Sequence, residues 1–384
     1  MPSTAQPAPV DQVYSPSNGD FAERVLNGDL HAYVAFDWGD EIDLELAAKL
    51  VPAEVKDLPR RRRTPTSIGY RPLPLRLQLS SIPLELPELG AVTMHAEATV
   101  FDFGAVSVAL RTSFSLSTAC LSRLATSLAD PSDFIKAAHS ALEPLHQRLW
   151  SAIEDPLWKD DLSEEYFLFL IPPCDNVPPT AELLQFHADW LAGLVRLEAA
   201  PLSPEEIAEA LRLHIRYSTD DLLVADWAAA VLLDRNCAET LQTIEFANLQ
   251  LLEFRHIDNR LDDNLATAYR MIHVLAKSWL PFWRSHARSL RALGELKVEA
   301  NGLFERTGNV FKLVGDQYLA RVYRLLGARF HLEEWEQSIL RKLEVAEGVY
   351  QVVSDQTSSY RTEFLEVVVV MLIFIEIVLA LNRP

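Results

Sequence analysis

The sequence predicts an α+β fold: a mixed α/β domain over residues 21–237, a coiled-coil-like helical hairpin over 238–363, and a C-terminal transmembrane helix over 364–381. Three observations carry this prediction. Before residue 237, short β-like apolar runs alternate with segments of helical period. From Ala238 proline nearly vanishes, glycine is sparse outside one segment, and helix formers dominate. The chain then closes on EFLEVVVVMLIFIEIVLALNRP, an apolar run carrying few charges.

Residues 1–20 are rich in Pro, Ser and Ala, lack an apolar signal region, and hold no Lys or Arg before Arg24. Asp11 and Asp20 also count against a mitochondrial presequence. The expectation is a disordered leader and a cytoplasmic main body. Residues 31–38 (HAYVAFDW) predict a strand and 42–51 a helix. Residues 73–79 alternate weakly. Residues 94–114 are the clearest hairpin, with Gly104 at the turn. Helices are expected over 115–128 and 131–153, the latter with Pro131 early and Asp133 near the cap. The run 166–171 (YFLFLI), closed by Pro172 and Pro173, predicts a buried strand. Helical period returns over 180–197 and 204–211. A last strand pair, 213–217 and 222–227, is joined by a Ser-Thr-Asp-Asp turn. Two segments echo each other after β-like runs: Phe36-Asp37-Trp38-Gly39 and Phe101-Asp102-Phe103-Gly104.

Three long helices follow, over 239–277, 285–326 and 333–364, with a turn at 327–331. In the third, Ile339, Leu343, Ala346, Tyr350, Val353, Thr357, Tyr360 and Phe364 alternate spacings of four and three, the coiled-coil rhythm. In the second, Phe304, Gly308, Phe311, Gly315, Tyr318, Val322 and Leu325 keep the same rhythm. Each glycine there costs about 1 kcal/mol in helix propensity relative to alanine. The offset is a groove that accepts a large side chain such as Tyr350 or Tyr360. The expected helix–helix seam is therefore Gly308, Phe311, Gly315, Tyr318, Leu343 and Tyr350, in an antiparallel hairpin open to self-association.

Residues 364–381 make about 27 Å of helix, close to a hydrocarbon core of about 30 Å. The expected anchor residues are Phe364, Leu365, Glu366, Leu372, Ile373, Glu376 and Leu381, with Arg361 and Arg383 at the two interfaces. Glu366 reaches one interface, whereas Glu376 lies about 15 Å deeper. A charge there costs at least about 2.5 kcal/mol, so Glu376 is expected to be protonated, paired or buried between helices. The competing reading buries the whole run against protein.

The net charge of −19 argues against broad nucleic-acid binding. Arg60, Arg61, Arg62 and Arg63 form a local basic cluster among prolines, a candidate contact for anionic lipid or phosphate. Cys120, Cys174 and Cys237 are far apart and odd in number, which suits buried thiols in a reducing compartment rather than a zinc site. No phosphate-binding loop, dinucleotide fingerprint, nucleophile elbow or zinc-protease motif occurs. Asp102-Phe103-Gly104 matches a kinase triplet, but without its companion motifs it reads as a turn. His256, Asp258, Asp262 and Asp263 crowd one helix on two faces and read as a solvated surface. No catalytic, cofactor-binding or metal-ligating residues are assigned, and no cofactor is expected.

Arg361, Leu365-Glu366, Leu372-Ile373 and Ile375-Glu376, after a helix carrying Ser358-Ser359, resemble the C-terminus of the required-for-meiotic-nuclear-division / Sad1-interacting-factor family. Members close on a Leu-Glu pair, an apolar stretch and a second Glu ten residues on. Residues 249–262 and 338–351 also resemble that family's long helices. The resemblance spans roughly residues 241–381. The earlier part matches only in architecture, and Val367 stands where an aromatic is usual. It implies a membrane-anchored, non-enzymatic protein, and by family analogy a ribosome-associated partner. The expected function is a tail-anchored membrane scaffold, single-pass with its bulk cytoplasmic, that forms homo-oligomers through its helices and recruits a protein partner. The alternatives are a membrane-associated enzyme with an unrecognised site in the α/β domain, or a soluble oligomer with its apolar tail in a bundle.

Overall fold

A computed structural model of the chain describes residues 18–51, 74–156, 162–277, 294, 297–298, 301–302 and 317–381. Its centre is β1 (Val25–Asp37), which carries a continuous buried run from Leu30 to Phe36. A strand buried on both faces shows an unbroken apolar run rather than alternation. Its antiparallel neighbours are β6 (Ala105–Ser117) and β8 (Ser163–Leu170). β5 (Gly90–Val100) makes the predicted hairpin with β6. Along the far edge of β5 lie β3 (Leu75–Gln78) and β4 (Ile82–Leu86). On the other side, β11 (Ala229–Leu233) pairs parallel to β8. β10 (Leu222–Ala225) then pairs with β11, and β9 (His214–Ile215) with β10. Among the described residues these nine strands form one sheet, ordered β3-β5-β6-β1-β8-β11-β10-β9 with β4 beside β5. β2 (Glu41–Ile42) and β7 (Ile153–Glu154) pair separately.

Helices cover both faces. On the first face, Leu30, Val34 and Phe36 pack with Val106, Val108 and Phe167 against α3 (Thr118–Ser127), α4 (Ser132–Leu149) and α6 (Ala188–Arg196). The local chemistry sets their ends. Ser117 caps α3 by accepting from Cys120 N–H, and Asp43 caps α2 (Leu44–Leu50) by accepting from Leu46 N–H. Ser203 caps α7 (Pro204–Arg212), where Pro204 takes a first-turn position whose N–H would lack a helical partner anyway. The predicted helix over 180–197 is two helices, α5 (Thr180–Phe186) and α6, meeting at His187. A short helix α1 (Asn18–Ala22) precedes β1.

On the second face lie α8 (Ala238–Lys277), α9 (Gln317–Arg329) and α10 (Leu332–Leu381). Tyr33, Tyr166, Leu168 and Leu170 meet Ile244, Phe254, Ile257, Val322, Leu326 and Leu343 there in a second core. Burying each large apolar side chain contributes about 1.5–3 kcal/mol. Tyr323 meets Gln250, and Lys342 meets Asp258 and Asp262. These pairs ascend together, so α9 and α10 run in the same sense as α8. Over the described residues 317–326 and 333–364 the last two predicted helices lie along α8 rather than folding back on each other, with a left-handed His331 (φ 54°) between them, whereas Lys297, from the earlier part of the predicted second helix, meets Glu347 on α10 at 2.8 Å.

The expected transmembrane helix is also corrected. Among the described residues, no helix is long and apolar enough to cross a membrane. The run holding Phe364, Leu365, Leu372, Ile373 and Leu381 is no separate element but the end of the 50-residue α10, interrupted by Glu366 and Glu376. The tail-anchored, single-pass membrane assignment falls with it.

Candidate functional site

Two features of the second face stand out: a polar seam that fixes α8 to the sheet, and the bare apolar end of α10. The seam begins at Glu245, buried above β5 and β6. Its Oε2 lies 3.8 Å from Arg76 Nη2, and Arg76 also reaches Glu97 at 3.4 Å. Burial pushes the Glu245 carboxyl up, with Arg76 opposing. The Ser107 and Thr99 hydroxyls, from β6 and β5, also oppose the rise by hydrogen bonding to it. Next, Asn248 Nδ2 donates to the Glu164 carbonyl at 3.1 Å. Two turns on, Arg255 pairs with Glu164. Burial pushes the carboxyls of Glu164 and Glu165 up, again with the Arg255 charge opposing.

His256 and Arg260 then close on the end of β1. His256 Nδ1 stands 2.7 Å from Asp37 Oδ2, while Asp37 Oδ1 accepts from Gly39 N–H at 3.1 Å. Arg260 Nη1 reaches Asp40 at 2.9 Å. The expectation of a solvated face at His256 and Asp258 is thus overturned: His256 is buried against Asp37, and Asp258 holds Lys342 Nζ at 2.8 Å, with Asp262 at 2.7 Å. Sequence reasoning missed these partners because they come from strand ends and from a helix about 80 residues further along the chain. A buried carboxylate holding one imidazole nitrogen is an arrangement that orients the other nitrogen for proton transfer. It is equally an arrangement that locks a helix in place.

The two echoing segments explain why β1 ends here. They touch: Trp38 N–H donates to the Gly104 carbonyl at 3.0 Å, and Ile42 N–H to the Asp102 carbonyl at 2.7 Å. Gly104 takes φ 93°, and a Cβ on it would stand 1.7 Å from the Gly39 carbonyl oxygen. As expected, Asp102-Phe103-Gly104 is a turn.

A second cluster ties α9 down. Arg329 is buried and donates to the carbonyls of Glu209 and Ala210 at 2.7 and 2.9 Å, with Asp226 at 3.6 Å. Asp226 also receives Arg196 Nε at 3.0 Å. Among the described residues, no group of three or more His, Cys, Asp or Glu could hold a metal ion.

The seam residues fare unequally. Tyr318 is half-buried on α9, its ring 5.8 Å from that of Tyr217, and Leu343 is buried in the second core. Tyr350 lies on α10, but its side chain is outside the described residues. Gly308, Phe311, Gly315 and the basic cluster Arg60, Arg61, Arg62 and Arg63 also lie outside the described residues. Residues 369–375 and Ile377 on α10 are apolar and 46–65% exposed.

The family model described as "Uncharacterized protein MJ0711, N-terminal domain" matches residues 27–239, more than half of the chain. The chain belongs to this family. It is similar to the uncharacterized protein MJ0711 of Methanocaldococcus jannaschii, 29% identical over 196 residues, which cover 50% of this chain and 59% of that relative. The chain thus matches under two thirds of its relative's length. No solved structure matches. The family match takes in the sheet and its first-face helices, and ends where α8 starts. Asp37, Asp40, Glu164 and Asp226 fall inside it, whereas their partners His256, Arg260, Arg255 and Arg329 fall outside.

Proposed function

We propose that this protein is a non-enzymatic scaffold whose α/β body docks a protein partner and whose helical part gathers copies of the complex. The observation that carries this reading is α10. Among the described side chains it packs in the core through Val349, and near its far end, over residues 369–375, consecutive apolar side chains are left uncovered. A helix that is apolar on every side needs something to cover it. The body supports the partner half of the reading. Tyr217 and Trp227 are 79% and 66% exposed, and Tyr and Trp are residues enriched in protein interfaces. The charge of −19 favours a partner with a basic face. The resemblance of residues 241–381 to the required-for-meiotic-nuclear-division / Sad1-interacting-factor family agrees with a non-enzymatic tether, and by analogy with a ribosome-associated partner.

Proximity labelling from the full chain tests this. A reproducible set of basic neighbours, lost in Tyr217→Ala/Trp227→Ala, is expected. Neighbours that match those of an unrelated acidic control protein overturn it. One observation favours a second reading: the Asp37–His256 pair is chemically able to serve as an oriented base. Turnover of any substrate that His256→Gln abolishes, in a chain of unchanged stability, establishes that reading instead.

A further inference from the structure

The heptad seam of α10 does not stop at Phe364. Counting on by three and four gives Val367, Met371, Phe374, Val378 and Leu381, all apolar. With Leu343 at position a and Ile339 and Ala346 at d, the first part of the seam is buried against α8 and the sheet. Lys342 lies level with Asp258 and Asp262, and both helices rise equally per residue. Lys277, the last described residue of α8, therefore stands level with about residue 359 of α10. Beyond that level α8 has no described residue.

Met371 and Phe374, at a and d, are 58% and 65% exposed. The flanking positions are apolar too: Val370 and Ile377 at g, Val368 and Ile375 at e. In a two-stranded coil the e and g positions are edges that carry charge. Apolar residues there call for a neighbour on each flank. Glu366 and Glu376 fall at c and f, off the seam, so no carboxylate is placed inside such a bundle. At a, d, e and g, Val370, Met371, Phe374, Ile375 and Ile377 together expose on the order of 500 Å². This one stretch of helix alone matches the roughly 300–600 Å² of the largest patch on a typical monomer.

We propose that residues 364–381 pack against the same segment of at least two further copies of this chain, in a bundle of three or more parallel helices. This rests on the scaffold reading and names its gathering device. It also reassigns Glu376: its register puts it on the outer wall, not at an assembly contact.

The test is the mass of the detergent-free full chain by light scattering at about 10 µM, with circular dichroism confirming a folded body. A mass of three or more copies is expected, falling at least threefold in Met371→Glu/Phe374→Glu and unchanged in Glu376→Gln. A monomer or dimer overturns the proposal. So does a threefold or larger mass that survives Met371→Glu/Phe374→Glu, or one that Glu376→Gln breaks. Flotation with phosphatidylcholine–phosphatidylglycerol vesicles checks the other occupant: a chain that floats and stays monomeric has lipid on this face, and the proposal fails. The two readings separate. Basic neighbours captured by a monomer leave the scaffold and remove the bundle. A bundle without such neighbours leaves the assembly and removes the scaffold.

Discussion

Alanine at Gly104 probes the contact that ends β1. The added Cβ would stand 1.7 Å from the Gly39 carbonyl oxygen, which is backbone and has no rotamer to move. The left-handed side of backbone space costs an L-residue about 1–2 kcal/mol. Relieving the clash must separate the turn from residues 38–42. That threatens the Trp38-to-Gly104 and Ile42-to-Asp102 hydrogen bonds, at about 1 kcal/mol each. Gly104→Ala is therefore expected to cost about 3–4 kcal/mol, a large part of the 5–15 kcal/mol typical of a folded chain. The control is Gly90→Ala. Gly90 also has positive φ, 68°, but no atom lies within 4 Å of its built Cβ, so only the backbone term of about 1–2 kcal/mol applies. In urea unfolding, with a slope of about 2–3 kcal/mol per molar, the two midpoints should differ by about 1 M. Equal midpoints would refute the claim that the two echoing segments are interlocked.

Three further outcomes are expected. Burial, with the Arg111 charge adding to it, holds the His31 imidazole down at about 4. Between about pH 4 and 6.5 the unfolded chain binds a proton there that the folded chain does not, so stability rises as pH rises across that window and is lost as pH is lowered through it, by about 3 kcal/mol at most. His31→Gln should flatten the stability–pH curve in that range, and an unchanged slope rejects the assignment. Because burial raises the Glu245 carboxyl, its charge opposes folding near neutrality. Glu245→Gln should raise the melting temperature at pH 7 by a few degrees, and a lower one would show that the Arg76 contact outweighs burial. Arg329→Met leaves the Glu209 and Ala210 carbonyls without their donor while Asp226 keeps Arg196, and thermal unfolding should report a loss of about 2–4 kcal/mol. A loss under 1 kcal/mol would mean that α9 is held by its apolar face alone.

Elements whose signal is local were legible in the sequence. Residues 94–114 have a turn glycine between two apolar runs, and the hairpin forms there. Residues 239–277 lack proline and glycine, and α8 runs the length of that span. Other elements depend on distant partners. β11, Ala-Ala-Val-Leu-Leu, has no alternation because both its faces are buried, and alanine gives little strand preference. Residues 115–117 read as helix, but β1 extends back to Val25 and draws them into β6. The break at His187 lies inside an uninterrupted helical period. The buried pairs were invisible for a related reason. Polar side chains at helical spacing look solvated unless the ends of strands far away in sequence supply their partners, as Asp37 does for His256. The apolar run of residues 364–381 was plain, but its place as the end of the 50-residue α10, rather than as a separate element, was not.

The pinning of α8 has a mechanical side. Asn248, Arg255, His256 and Arg260 grip the sheet over little more than three turns, and Lys342 then clamps α10 to that stretch. From about residue 359, level with the last described residue of α8, to Leu381 is about 33 Å, so a tilt of about 5° swings the tip by about 3 Å. Events that loosen one of these grips, such as a partner competing for Asp37 or Glu164, would be geared up into a displacement large enough to bring helices of neighbouring copies into or out of register. The sheet end thus acts as the fulcrum of a lever, and the aim of the tip is decided at residues far from it.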